Sequence, residues 1–292
     1  MQATTTGERP ARRPRRSALR GMLIGTALAV AVVSTAPVAA AGTSEADPPP
    51  SVSTACGTPL SASEVRSVVA LSDTSTLTGD DPLDRFDQQV SRTRRITAIL
   101  VRHQDRRGLF AVGLDAMERT VMQPLLRGTE FHDPAFGHAF TPELLRRYLA
   151  TVHDEFLGRP TPPHWKRYYD LAHRCDTPPA RVAMAGYNAH LTVDIGHTLA
   201  TVDTGLRHAP DYATVTGALL KHNSLVVKTT KEAYGVDLSG VWSLVATTGP
   251  VMYTIVFVNG LALQIPPVRP IVQAEIALVW RTTDAALTVA TA

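Results

Sequence analysis

Beyond about residue 61, apolar residues recur every three or four positions, the spacing of helices that each bury one face. Ser61 and Glu64 form a capping-box pattern ahead of Val65, Val68 and Val69, so a first helix is predicted there. Asp81-Pro82 opens a second, carrying Phe86, Val90, Ile96, Ile99 and Leu100, with Gly108 and Gly113 expected to punctuate its end. A third helix is expected over about 115–126, followed by a turn-rich stretch at 128–136. Thr141-Pro142-Glu143 reads as an N-cap with proline at the first helical position, and Leu144, Leu145, Tyr148, Leu149 and Val152 form the buried stripe. After a loop at 158–163 comes a short aromatic helix with Trp165, Tyr168, Tyr169 and Leu171. Pro178-Pro179 starts another helix, which runs to about Val202. A long helix capped by Asp211 should reach Tyr234 and stop at Gly235.

The segment 251–258 is β-branched and by propensity alone favours a strand. Gly249-Pro250 before it and Asn259-Gly260 after it limit its length, and in an otherwise helical chain it reads as a buried helix. The same bounds argue against a membrane span. Residues 273–287, with Glu275 and Trp280, close the chain as an amphipathic helix. The pattern therefore predicts an all-α fold: a single irregular multi-helix domain over 61–292, behind an extended linker at 42–60 and a signal peptide at 1–41. No fixed-period repeat suggests a solenoid.

Charge changes the picture at the N-terminus. The formal net charge is +3, but Arg9, Arg12, Arg13, Arg15, Arg16 and Arg20 all precede residue 21, against the single acid Glu8. The remainder is near neutral or slightly acidic, so no basic footprint for nucleic acid is expected in the mature domain. The basic start, the short apolar run at 22–33 and the small residues Val38-Ala39-Ala40-Ala41 follow the order of a cleavable export signal, with cleavage near Ala41. Arg15-Arg16 leaves a twin-arginine route open, and a retained N-terminal anchor is the alternative. Asp47-Pro48-Pro49-Pro50 reads as a solvated spacer. A secreted, extracellular protein with no stable membrane span in its mature form is the expectation. The two cysteines, Cys56 and Cys175, then favour one disulfide, two unrelated thiols being the alternative.

Candidate chemistry concentrates at 186–197. On a helix, His190 and Asp194 lie one turn apart on one face, and His197 follows three residues after Asp194. The residues between them are small or apolar, so these polar groups are expected to be buried and to need partners. Two imidazoles and a carboxylate suit a divalent metal such as zinc, with His190, Asp194 and His197 as ligands. His153, Asp154, His173, Asp133 and Glu275 are candidates to complete the set. Without metal, Asp194 could orient His190 as a general base. A buried hydrogen-bond network joining helices is the third possibility. His132, His138 and His164 read as surface groups in polar loops; His208 and His222 lie near Lys or Arg. No nucleophile elbow, P-loop or His-Glu-x-x-His occurs.

The stretch Ala185-Gly186-Tyr187-Asn188-Ala189-His190 with Asp194 resembles the Asn-Ala-His-x-x-x-Asp core of an uncharacterised actinobacterial secreted family, a domain of unknown function. Further matches are Arg94-Arg95-Ile96-Thr97, Phe131-x-Asp133-Pro134, Trp165 after its proline-rich loop, and Ala274-Glu275 with Ala277 and Trp280. Together they span about 84–287. Leu191 and Ile195 depart from the pattern, and His197 lies outside it. The resemblance implies a site at this helix without implying a reaction.

Two functional readings follow. In the first, the protein is an exported metal-dependent hydrolase with His190 and Asp194 at the metal, Asn188 orienting substrate, and Glu275 or Asp133 as base or further ligand. In the second, it is a non-catalytic binding module whose polar helix is structural, with an apolar pocket near Trp165 and Trp280 for a lipid or small molecule.

Overall fold

Helix starts are set by local chemistry that the sequence displays. Ser61 Oγ accepts from the Glu64 amide while the Glu64 carboxylate takes the Ser61 amide, closing a reciprocal cap on α1 (Ala62–Ser72). Asp81 caps α2 (Pro82–Arg102). The computed structural model describes residues 54–291, which fall in one unit. The expected signal at 1–41 and residues 42–53 of the expected linker lie outside the described residues. Helices follow one another throughout, and no strand occurs among the described residues.

At the centre lies α3 (Gly108–Met117), all ten residues of which are buried. A π-helical turn (Glu118–Met122) and α4 (Gln123–Arg127) continue it without a break. From the sequence this helix is expected to start near residue 115, with Gly108 and Gly113 as punctuation. Gly113 instead lies inside the helix because α7 (Pro179–Asn188) passes very close: a Cβ there would stand 2.0 Å from Tyr187 Oη. Gly186 answers from the other side, where a Cβ would meet Phe110 Cβ at 2.7 Å.

Around α3 pack α2, α5 (Pro134–Phe156), α6 (Pro163–Ala172) and α7. The start expected for α5 is displaced by a full turn and more. Asp133 caps it, Pro134 occupies its first turn, and Pro142 lies inside the helix. The Asp-Pro pair at 133–134 is the stronger start signal, and packing of Phe136 and Phe140 holds the extra turns. A second π-helical turn (Ala189–Asp194) joins α7 to α8 (Ile195–Thr201) as one continuous rod.

The long helix expected up to Tyr234 is two: α9 (Ala209–Lys221) and α10 (Ser224–Tyr234), broken at His222-Asn223. Gly235 ends the second with φ 69°, as its position implied. Asp211 does not cap its own helix. It is fully buried and accepts from the backbone amides of His132 (2.6 Å) and Asp133 (3.0 Å), tying α9 to the start of α5.

The apolar stretch near the C-terminus is helical, in α11 (Ser239–Ala262), which runs straight through Pro250 and Asn259-Gly260. Only one face is covered. Trp242, Tyr253, Val256 and Phe257 point inward, while Val251, Ile255 and Val258 are exposed, which corrects the expectation of a wholly buried helix. α12 (Arg269–Ala290) buries Val272, Ile276 and Leu287 and exposes Ile271, Leu278 and Val289. Among the described residues no helix is long and apolar enough to cross a membrane.

Residues 54–60 are docked onto the body. Ala55 is buried, its carbonyl accepts from the Arg106 amide (2.9 Å), and the Thr58 amide donates to the His103 carbonyl (2.8 Å). Cys56 and Cys175 form a disulfide, with Cα atoms 5.3 Å apart. The Arg106 guanidinium holds the receiving loop by donating to the carbonyls of Arg174, Cys175 and Thr177.

Candidate functional site

Asp194 and His190 are both buried, as their apolar neighbours implied. Asp194 finds its partners on α6. His164 Nε2 donates to Oδ1 at 3.0 Å, and Trp165 Nε1 donates to Oδ2 at 2.9 Å. His190 Nδ1 lies 3.8 Å from Oδ2, too far for a hydrogen bond, and has no hydrogen-bond partner among the described residues. Burial pushes the Asp194 carboxyl upward. The His164 hydrogen bond and the nearness of the His164 and His190 rings outweigh burial and bring it down to about 2. Asp194 is thus a buried anion with both oxygens engaged, and it locks α6 against the π turn. His164, read from the sequence as a surface group, is half of that lock: it sits in the first turn of α6, partly buried, its ring edge-on to Trp280.

The remaining residues singled out in the sequence go elsewhere. Asn188 uses its amide structurally, donating to the Trp280 carbonyl (2.9 Å) and accepting from Thr192 Oγ1 (2.9 Å), which stitches the π turn to α12. His197 lines a polar cleft with Asp203, Gln264 and Arg269; burial, then Arg147, lowers its pKa. The π turn explains the separation, because its extra residue rotates everything after it relative to an α-helical register. Glu275 is exposed on a groove between α11 and α12, which neither His190 nor Asp194 lines. Asp133 caps α5, and His173 pairs with Glu155 at 2.9 Å. Among the described residues no group of three or more His, Cys, Asp or Glu could hold a metal ion. The donors around Asp194 agree with this, since both carboxylate oxygens face N–H groups. The set is that of a hydrogen-bonded carboxylate.

His190 has a second environment. Its ring lies 5.2 Å from that of Phe110, and it borders a partly open cavity of about 80 Å³ between α3, α5, α7, α9 and α11. Most of the wall is apolar or aromatic, including Phe110, Phe140, Leu144 and Val215. Five wall residues carry a buried polar atom with no hydrogen-bond partner among the described residues: Glu118 (Oε2), His190 (Nδ1), Thr141 (Oγ1), Tyr212 (Oη) and Trp242 (Nε1). Native interiors leave few such atoms, and each costs roughly 1–3 kcal/mol. Ten further such atoms lie elsewhere among the described residues; these five share one wall.

Glu118 is the member that the sequence reading passed over. It opens the first π turn and is fully buried. Burial, reinforced by nearby Asp115, raises its carboxyl to about 8, so it is protonated at neutral pH. Asp115 is itself paired with Arg119 at 2.9 Å. A signal was present: Leu114, Val121 and Met122 stand four before and three and four after Glu118, which puts the acid on the apolar face of its helix. Both π turns thus deliver a titratable residue to one cavity, and π turns often mark functional positions.

The fold and this wall describe an all-α domain with a mainly apolar cavity carrying a few polar groups. Residues 86–252 match the family of unknown function DUF5995, and the chain belongs to that family. The match covers both π turns, α6 and nearly all of the cavity wall. No curated protein and no solved structure matches the chain.

Proposed function

We propose that this domain is a non-catalytic, exported binding module that holds a small, mostly apolar molecule in the cavity between α3 and α7. One observation carries this reading: five residues that line one mainly apolar cavity each carry a buried polar atom with no hydrogen-bond partner among the described residues. A ligand with a hydrocarbon body and a polar end would remove the desolvation penalty of several of these atoms at once. The site differs from the pocket anticipated near Trp165 and Trp280, because Trp165 is spent in the core as a donor to Asp194. Export is supported by the arginine-rich, apolar, small-residue order at the N-terminus and by the disulfide, a bond that persists in oxidising compartments.

The metal-dependent hydrolase reading has less behind it, since the Asp194 oxygens are occupied and His197 and Glu275 belong to other surfaces. The test is saturable binding of small aromatic and alicyclic probes, followed by calorimetry. Binding should disappear in Leu219→Trp, which fills the cavity from a half-buried wall position, while the folded far-ultraviolet spectrum is retained. Equal binding in wild type and Leu219→Trp, or no saturable binding of any probe, refutes the assignment.

A further inference from the structure

Resting on that reading, we infer that the cavity's ligand is an uncharged hydrocarbon bearing a hydroxyl or carbonyl oxygen, and that Glu118 hydrogen-bonds this oxygen.

Charge limits the choices first. Among the described wall residues there is no Lys or Arg, and the imidazole of His190 already lies beside the Asp194 carboxylate, so a carboxylate or phosphate would enter without a counter-ion of its own, against an acid on the wall and Asp115 behind it. The hydrogen-bond inventory then separates neutral from cationic ligands. Trp242 Nε1 only donates, and a protonated Glu118 carries an O–H; both require an acceptor. An ammonium offers none, whereas a hydroxyl or carbonyl oxygen has two lone pairs. Tyr212 and Thr141 can serve as donor or acceptor and exclude neither. The rest of the wall, with Phe110, Phe140 and Leu144, suits a compact hydrocarbon. At roughly 10–15 Å³ for each water-sized group, about 80 Å³ holds some five to eight of them, the scale of a six-membered ring with a short substituent.

Protonation of Glu118 gives the inference a signature. The acid must keep its proton to donate, and an ionised Glu118, though able to accept from a hydroxyl, is solvated far better by water than by one ligand group, so affinity is full well below pH 8 and falls as pH rises through it. Other groups face the same space or stand beside Glu118: His190 from the second π turn, Tyr187 from α7, Tyr212 from α9, Tyr253 from α11, and the Asp115–Arg119 pair on its own helix. Assigning the effect to Glu118 therefore needs a variant.

Four probes of nearly one shape separate the possibilities by titration calorimetry on the full folded chain: benzyl alcohol, toluene, benzylamine and benzoate. Benzyl alcohol should bind at least about tenfold tighter than the other three at pH 6.5, and its affinity should drop about tenfold between pH 7 and pH 9. Glu118→Gln keeps an N–H donor and should bind benzyl alcohol with a flat profile over that range. Toluene matching benzyl alcohol, benzylamine or benzoate binding best, or a pH drop that persists in Glu118→Gln, would overturn the inference while leaving the binding module intact. Failure of all four probes would remove both. If the variant does not fold, the ranking still decides the ligand class, and infrared spectra of the wild type, in which a protonated-carboxyl band should vanish between pH 7 and pH 9, assign the drop to the acid; a drop without that band change overturns the role of Glu118.

Discussion

Replacing Asp194 by asparagine keeps the volume and removes the charge, and the structure fixes what should follow. The carboxylate receives Trp165 Nε1 on one oxygen and His164 Nε2 on the other. Asparagine has one acceptor oxygen, so whichever way the amide turns, one N–H donor faces its NH2 group. Asp194 titrates at about 2 in the folded protein against an ordinary value near 4, which corresponds to roughly 2–3 kcal/mol of stability at neutral pH. The sign follows from the depressed folded value. The contribution is complete above the unfolded value near 4 and disappears as pH falls toward 2. Urea denaturation of wild type and Asp194→Asn at a series of pH values measures the difference directly, and comparison within the pair cancels other carboxylates with lowered values, such as Glu64 and Asp237. At pH 7 the variant should be less stable by about 3 kcal/mol, or roughly 6–12 °C in Tm for a domain of this size. The gap should narrow between pH 4 and pH 2. A loss under 1 kcal/mol at pH 7, or a gap unchanged with pH, would refute the assignment of Asp194 as a saturated structural anion.

Two further expectations test the frame around it. Gly113→Ala places a Cβ 2.0 Å from Tyr187 Oη, and that ring is held edge-on to Phe110 and Trp242, so a loss of roughly 1–3 kcal/mol is expected. Gly217→Ala, with nothing within 4 Å, should instead gain about 0.5–1 kcal/mol, and similar melting temperatures for the two variants would sink the close-approach argument. The Cys56–Cys175 bridge spans 119 residues of sequence, so replacing both cysteines by serine should cost several kcal/mol, about 4–5 at most by loop-closure entropy. Two free thiols titrated in the unfolded, unreduced wild type would show that the bridge does not form.

Local signals carried much of the fold. The Ser61–Glu64 box, Asp81-Pro82, Pro178-Pro179 and Gly235 each mark a helix end because the relevant chemistry lies within four residues. What escaped the sequence depends on neighbours that it cannot display. Gly113 and Gly108 read as breaks because their reason for being glycine is a side chain on another helix: Tyr187 in one case, Tyr234 in the other. Pro142 and Pro250 read as boundaries because a proline removes one backbone donor. Each helix nevertheless continues, with residues on both sides packed into the core. His164 lies thirty residues from Asp194, and no spacing rule links them. The π turn at 189–194 leaves no mark in the apolar period, yet it decides that His190 and His197 serve different surfaces.

Asp194 and Glu118 show why the most conspicuous acid is not the one that serves the cavity. Both acids are fully buried, and burial drives both toward the neutral form. Asp194 has two N–H donors and two nearby imidazoles, which overcome burial and hold it as an anion with no free oxygen. Such a group has nothing left to offer a ligand, and its removal should appear as lost stability. Glu118 has an unpartnered oxygen and a second acid close by, so it remains a proton-bearing carboxyl beside a space of ligand size. When environments push two acids apart in this way, the pair divides into support and site. A pattern of polar residues on an apolar helix finds both kinds. Only the count of partners, available once the helices are packed, tells them apart. That count assigns the support to Asp194 and the binding group to Glu118.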